Sequence, residues 1–107
     1  MSEPSEDFAS LTDFDRVLHS PARLTIVAIL SAVEEADFVY LLNESGLTKG
    51  NLSTHLSKLE ESGYIEVEKT YRGKIPLTLC RLTKTGRQAF TEYRKQLKRF
   101  VDLTGDA

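Results

Sequence analysis

The sequence predicts a small α+β domain, mainly helical, in which core helices precede a two-stranded β-hairpin and one long last helix. Three observations predict this class. The chain has 107 residues, 40% of them apolar and 28% charged, which is typical of a single soluble globular domain. Apolar residues recur at three- and four-residue spacings through roughly the first 60 positions, which indicates amphipathic helices. From residue 64 the spacing changes to alternation, the period of strands, before a last helical stretch.

The amino-terminal stretch predicts a disordered lead-in and then a first amphipathic helix. Residues 1–9 are polar and acidic, so we expect them to be disordered and the folded domain to span residues 10–104. Apolar residues from Phe8 to Leu18 follow at helical spacing. This helix should stop before Pro21, because proline disfavours helical geometry in the residue that precedes it.

Two further helices are predicted from their apolar residues and their caps. Ser20 is a predicted N-cap, and Pro21 occupies the first helical position, where its missing N–H costs nothing. The helix that follows, to about residue 33, is apolar almost all round, so we expect it to be the central core helix. Asp37 is the predicted N-cap of a short helix that Gly46 ends in a left-handed conformation.

The next helix follows after a tight joint. Thr48 is its predicted N-cap and Gly63 ends it. Leu52, Leu56 and Leu59 lie at four- and three-residue spacings and form its predicted buried stripe. Helices joined this closely predict a helix-turn-helix arrangement.

The last part of the chain predicts a hairpin and a long helix. Residues 64–69 and 77–82 alternate as half-buried strands, with a basic turn at residues 71–74 between them. Pro76 suggests an edge strand or a bulge. Thr83 is the predicted N-cap of a helix running to about residue 103, and its apolar stripe is long for a small domain to cover.

These residues resemble a known family. The segment from Gly46 to Ile65 resembles the recognition-helix segment of small MarR-like and ArsR-like transcriptional regulators of bacteria and archaea. Residues 66–74 and 81–87 look like their wing and its joint to the last helix, and residues 19–30 are similar to their opening core helix. The resemblance covers about residues 17–100 and implies a winged helix-turn-helix fold with flanking N- and C-terminal dimerisation helices. Residues 75–77 depart from it, because a more basic return strand is expected there.

The recognition helix, at about residues 48–61, has a polar face that suits a DNA groove. With its leucines facing the core at 100° per residue, the opposite face holds Gly50, Thr54 and Ser57. Short side chains beside a glycine let a helix approach the floor of a major groove, and basic side chains reach phosphates. The candidate DNA-binding residues of this helix are Thr48, Lys49, Gly50, Asn51, Ser53, Thr54, His55, Ser57 and Lys58. Those of the wing at residues 69–75, on the DNA backbone or in the minor groove, are Lys69, Tyr71, Arg72 and Lys74.

Charge is distributed unevenly along the chain, although its formal total is only −2. Residues 1–46 hold two basic and nine acidic residues, a net of −7. Residues 47–107 hold twelve basic and seven acidic residues, a net of +5. We therefore expect a basic surface on the half with the recognition helix and wing, and the acidic half to face away from DNA.

Several classes of protein have no supporting pattern. The single cysteine, Cys80, excludes a disulfide framework within the chain and favours a reducing, cytoplasmic compartment. No apolar run is long enough to cross a bilayer, and no signal core is visible. Cys80, His19 and His55 lack metal-ligand spacing, and no catalytic set of residues is found. We expect no enzyme activity, no metal and no cofactor.

The predicted function is that of a double-stranded-DNA-binding transcriptional regulator acting as a homodimer. The surplus apolar stripes of the first and last helices should pair across a two-fold axis. The candidate interface residues are Phe14, Val17, Leu18, Phe90, Tyr93, Leu97 and Phe100. The alternative is that some of them complete the core of the single chain. Resemblance to MarR-like proteins implies that a small-molecule effector can bind in the dimer cleft. The alternative is a winged helix that contacts protein within a transcription or replication assembly.

Overall fold

The computed structural model describes residues 6–105 and gives five helices and three strands in that range. The helices are α1 (Glu6–Ser10), α2 (Pro21–Ser31), α3 (Phe38–Ser45), α4 (Lys49–Glu61) and α5 (Lys84–Thr104). The strands are β1 (Ala36–Asp37), β2 (Ile65–Arg72) and β3 (Ile75–Leu82). They form one antiparallel sheet in the order β1-β3-β2.

The predicted caps begin the helices as expected. The side chain of Asp37 accepts the Tyr40 N–H at 2.8 Å, and that of Thr83 accepts the Gly86 N–H at 2.9 Å. Each satisfies a donor that a helix start leaves without an intrahelical partner. Gly46 ends α3 with φ of 71°, in the left-handed region that favours glycine. Caps of this kind explain why the predicted starts of α2 to α5 agree with the structure.

The core lies where α2 packs against α3, α4 and β3. Ile26, Val27 and Leu30 of α2 are buried, as expected for the central helix. The leucines of the predicted stripe on α4 are buried as well. None of the helices among residues 6–105 is long and apolar enough to cross a membrane.

The first segment differs from the predicted helix. Residues 1–5 of the predicted lead-in lie outside the described residues, and the helix that follows covers only Glu6–Ser10. Beyond it the chain makes turns, because Asp15 Oδ1 accepts the N–H groups of Val17 at 2.8 Å and Leu18 at 3.0 Å. A short acidic side chain that bonds nearby backbone in this way competes with helix formation.

The sheet contains one strand that was not predicted. β1 consists of Ala36 and Asp37, which pair with Cys80 and Leu79 of β3. Two residues are too short to give a period, so the sequence indicated only a connector and a cap. β1 does not extend along β3 as far as Pro76, so the missing N–H of this proline removes no bond to β1.

The hairpin turn is shorter than predicted. β2 and β3 pair continuously up to Arg72 and Ile75, which leaves Gly73 and Lys74 as the turn. Gly73 has φ of 64°, the sign that two-residue hairpin turns require at their first position. The hairpin therefore carries its basic turn at the far end of β3 from α5.

Gly86 marks a close approach of α5 to the chain just before β2, and substitution tests it. A Cβ atom at Gly86 would overlap the backbone carbonyl of Tyr64. Gly86→Ala should therefore lower the free energy of unfolding by about 3 kcal/mol, and the melting temperature by about 10 °C or more. Gly50→Ala is the matched control, since its Cβ would meet open space. We expect it to be neutral or to stabilise the helix by up to about 1 kcal/mol. Equal melting temperatures for the two variants would contradict this packing.

Candidate nucleic-acid interface

The exposed face of α4 is the surface predicted to contact DNA, and it is open in the structure. All but one of the helix residues predicted to contact DNA are exposed: Thr48, Lys49, Gly50, Asn51, Ser53, Thr54, Ser57 and Lys58. A Cβ at Gly50 would meet nothing within 4 Å, so the backbone there is bare. The Thr54 hydroxyl donates to the Gly50 carbonyl at 3.0 Å and still has lone pairs free to accept. The first two turns of α4 thus present a polar surface of short side chains.

His55 is the exception, because it is only partly exposed. Its side chain is half-buried, and an Arg23 N–H of α2 donates to its Nδ1 at 3.1 Å. Arg23 also donates from Nε to the Val17 carbonyl at 2.6 Å. His55 thus links α4, through Arg23, to the segment before α2.

The predicted wing residues are all exposed, and part of the wing lies beside α4. Lys69, Tyr71, Arg72 and Lys74 are exposed at or near the hairpin end. Lys69 lines a cleft of about 260 Å³ with Ser53, Ser57 and the acidic Glu60 of α4. At 100° per residue, Lys58 projects from the opposite flank of α4. Basic side chains thus border the polar face of α4 on both sides.

The basic excess of residues 47–107 is not concentrated at this surface, contrary to the prediction from the half-chain charges. α4 has two basic and two acidic residues, a net of zero. The hairpin of β2 and β3 has four basic and two acidic residues, a net of +2. α5 has six basic and two acidic residues, a net of +4. The net charge of residues 47–107 is positive largely because it includes the charge of α5, which lies outside the predicted DNA surface.

Comparison with known proteins identifies the fold family. Residues 22–101 match the family described as winged helix DNA-binding domain. The chain belongs to this winged helix family. It is also 39% identical to an uncharacterized protein of Methanocaldococcus jannaschii over 79 residues, 73% of this chain and 85% of that protein.

Solved structures agree with the winged helix assignment. A transcriptional regulator homologue from Pyrococcus horikoshii is 25% identical and superimposes with a TM-score of 0.84, covering 95% of this chain and all of that one. The transcriptional repressor CouR, solved bound to a 23-mer DNA duplex, is 22% identical with a TM-score of 0.67, covering 94% of this chain and 72% of that one. Further neighbours include MarR-type regulators, and NadR in complex with 4-hydroxyphenylacetate. The fold is that of DNA-binding transcription regulators.

The amino-terminal segment of this winged helix protein packs on α5 through aromatic rings. The Phe14 ring stacks on His19 with centroids 4.9 Å apart and lies 5.7 Å from Tyr93 and 6.2 Å from Phe100. His19 Nδ1 is 2.8 Å from the Tyr93 hydroxyl oxygen. The Tyr64 hydroxyl donates a hydrogen bond to Asp15 Oδ2. Burial, and to a smaller extent this hydrogen bond, raise the pKa of Tyr64 to about 12. These contacts fix the segment before α2 against the domain.

Two of the predicted interface residues belong to the core of the single chain. Leu18 is fully buried and Tyr93 is 3% exposed, because the segment around Phe14 and the rest of the core cover them. They cannot offer a surface to a partner. The other five are half-buried: Phe14, Val17, Phe90, Leu97 and Phe100. The strongly exposed apolar side chains of this region are instead Phe8, Val101 and Leu103, at 60%, 61% and 52% exposure.

Proposed function

We propose that this chain is a sequence-specific regulator of transcription that binds double-stranded DNA as a homodimer. The observation that carries the proposal is the bare polar face of α4, bordered on both flanks by exposed basic side chains. In this proposal the first two turns of α4 enter a major groove, where Asn51 and Thr54 contact base edges. Lys58 and the wing residues contact phosphates on either side.

The dimer is supported by apolar surface that one chain leaves uncovered. Phe8 of α1 and Val101 and Leu103 of α5 are each more than half exposed. Val101 and Leu103 are two positions apart, so they lie on different sides of α5. In a two-fold dimer built around the end of this helix, exposed apolar side chains such as these leave water. Two copies of α4 can then meet successive major grooves about 34 Å apart on a pseudo-palindromic site.

The dimer geometry provides a mechanism of control. Arg23 hydrogen-bonds both the segment beside the proposed interface, at Val17, and the α4 residue His55. A change in how the two copies pack therefore alters the position of α4 in the groove. The small-molecule effector implied by the MarR-like resemblance would act through this geometry.

Titration of a generic duplex at several salt concentrations tests DNA binding. Each lysine or arginine that contacts a phosphate releases counterions, so the logarithm of affinity should fall linearly with the logarithm of salt. We expect a slope of about −0.9 for each phosphate contacted. Absence of binding at low salt would contradict the proposal.

The alternative, a winged helix that binds protein, is favoured by one feature of the surface. A hollow of about 710 Å³ between α3 and β3 is lined largely by apolar atoms and includes the exposed side chains Val39, Tyr40 and Ile75. Exposed apolar side chains of this kind mark contact sites for other proteins. The same salt titration separates the two functions, because a protein-binding module is not expected to bind duplex DNA at low salt.

A further inference from the structure

We propose that the exposed face of α5 is a second DNA-binding surface, which holds the phosphate backbone of another duplex segment. The face is defined by Lys84, Arg87, Arg94, Lys95 and Lys98, all exposed. The proposal goes beyond DNA recognition by α4, because this face needs no base contacts and allows the protein to join two pieces of DNA.

The five basic residues form one stripe along the helix. At 100° per residue they fall within an arc of about 100°. They extend over about 21 Å of helix axis at 1.5 Å per residue. Duplex DNA carries a charge about every 1.7 Å of its axis, so a linear stripe of cations matches it in form and sign.

Most of these cations have no carboxylate partner. Within the part of the chain that the structure describes, Lys84, Arg87 and Lys95 make no ion pair. Arg94 lies over the Phe90 ring at 5.8 Å, and Lys98 pairs with Asp102 at 2.8 Å. The positive field of the stripe is therefore largely uncompensated.

The stripe is separate from the hairpin turn of the wing, and it begins beside the carboxyl end of α4, where the Thr83 hydroxyl donates to the Gly63 carbonyl at 2.6 Å. The hairpin turn lies at one end of β3, and α5 begins just beyond the other end, at about 23 Å of strand from Ile75 to Leu82. On the helix itself, Tyr93, Leu97 and Phe100 lie on the side opposite to the stripe. Leu103, which belongs to the proposed dimer face, lines one hollow with Lys95 and Lys98. The part of the stripe farthest from that face is therefore its amino-terminal end, at Lys84 and Arg87.

The chemistry of the stripe favours a nucleic acid over an acidic protein. Stable protein interfaces have a core of apolar or aromatic side chains that are depleted in charge. The only uncharged residue within the arc is Thr91. Binding to backbone phosphates requires only cations spaced along the surface, and this face provides them.

A two-duplex capture assay tests the proposal. One duplex is immobilised, the protein is bound to it, and capture of a second, fluorescent duplex is measured at low salt. The triple variant Lys84→Gln, Arg87→Gln and Lys95→Gln removes three charges with little change in helix propensity. We expect it to capture the second duplex about tenfold less than the wild type. Its affinity for a single duplex should stay within about twofold, since α4 and the wing are intact.

Matched variants separate this surface from the proposed function. Gln88→Ala with Thr91→Ala changes the same side of α5 without changing its charge, and should behave as the wild type. Undiminished capture by the triple variant would overturn the proposal, since two α4 surfaces of a dimer would then account for it. The proposal would also be overturned if the wild-type protein bound one duplex but captured no second duplex. Failure of the α4 proposal has a different signature, namely equal single-duplex affinity of the wild type and a Lys58→Glu variant.

Discussion

Lys58→Glu and Arg72→Glu are each expected to weaken binding to duplex DNA of every sequence by about 100-fold at about 0.1 M salt. Lys58 borders the face of α4 on one flank and Arg72 stands at the end of the wing, both exposed. A dimer carries each substitution twice, so two charge-assisted contacts to phosphate become repulsive. The salt slope should lose about two units, because two fewer phosphates release their counterions.

The control for these reversals is Arg16→Glu, an exposed arginine in the segment before α2. It changes the net charge by the same amount at a position that belongs to neither α4 nor the wing, so we expect affinity within about threefold of the wild type. Fluorescence anisotropy with a labelled duplex measures all three variants. Unchanged binding by both Lys58→Glu and Arg72→Glu would show that the protein docks through another face.

The second large effect is expected at the proposed dimer face. Phe8→Gln, Val101→Gln and Leu103→Gln together should convert the dimer to a monomer at micromolar concentration. These side chains are more than half exposed in one chain, so their loss leaves the fold of the monomer intact. Two linked α4 helices bind a palindrome far more tightly than one does, so affinity for such a site should fall by about 100-fold or more.

Val39→Gln is the matched control for the dimer face. Val39 is 62% exposed, close to the 61% of Val101, but it lies on α3. We expect this variant to sediment as the wild type does. A wild-type protein that sediments as a monomer, or a triple variant that stays dimeric, would contradict the proposed interface.

Most helices and the hairpin could be predicted because their signals are local. The cap at Thr48 and the leucine stripe of α4 lie within one helix, so the spacing alone defines its start and its buried side. The first helix is shorter than predicted. The apolar spacing from Phe8 to Leu18 gives no information on the hydrogen bonds that Asp15 accepts from nearby backbone N–H groups. β1 was missed because two residues carry no period.

The candidate site was predictable only where it depends on one element. The exposed side of α4 follows from helix geometry, and the residues expected there are exposed. The hydrogen bond between His55 and Arg23, 32 residues earlier, depends on how α2 packs on α4. Likewise Tyr93 is buried because Phe14 folds back onto α5. Neither contact has a signal in the local sequence.

Selection of bound fragments from a pool of random duplexes tests most directly that this protein reads DNA sequence as a dimer. The account predicts enrichment of a pseudo-palindrome whose half-sites are centred about 10 base pairs apart, one helical turn. Asn51→Ala should bind the same site with relaxed preference at the contacted positions. Enrichment of no sequence, or of one with no internal symmetry, would contradict the account.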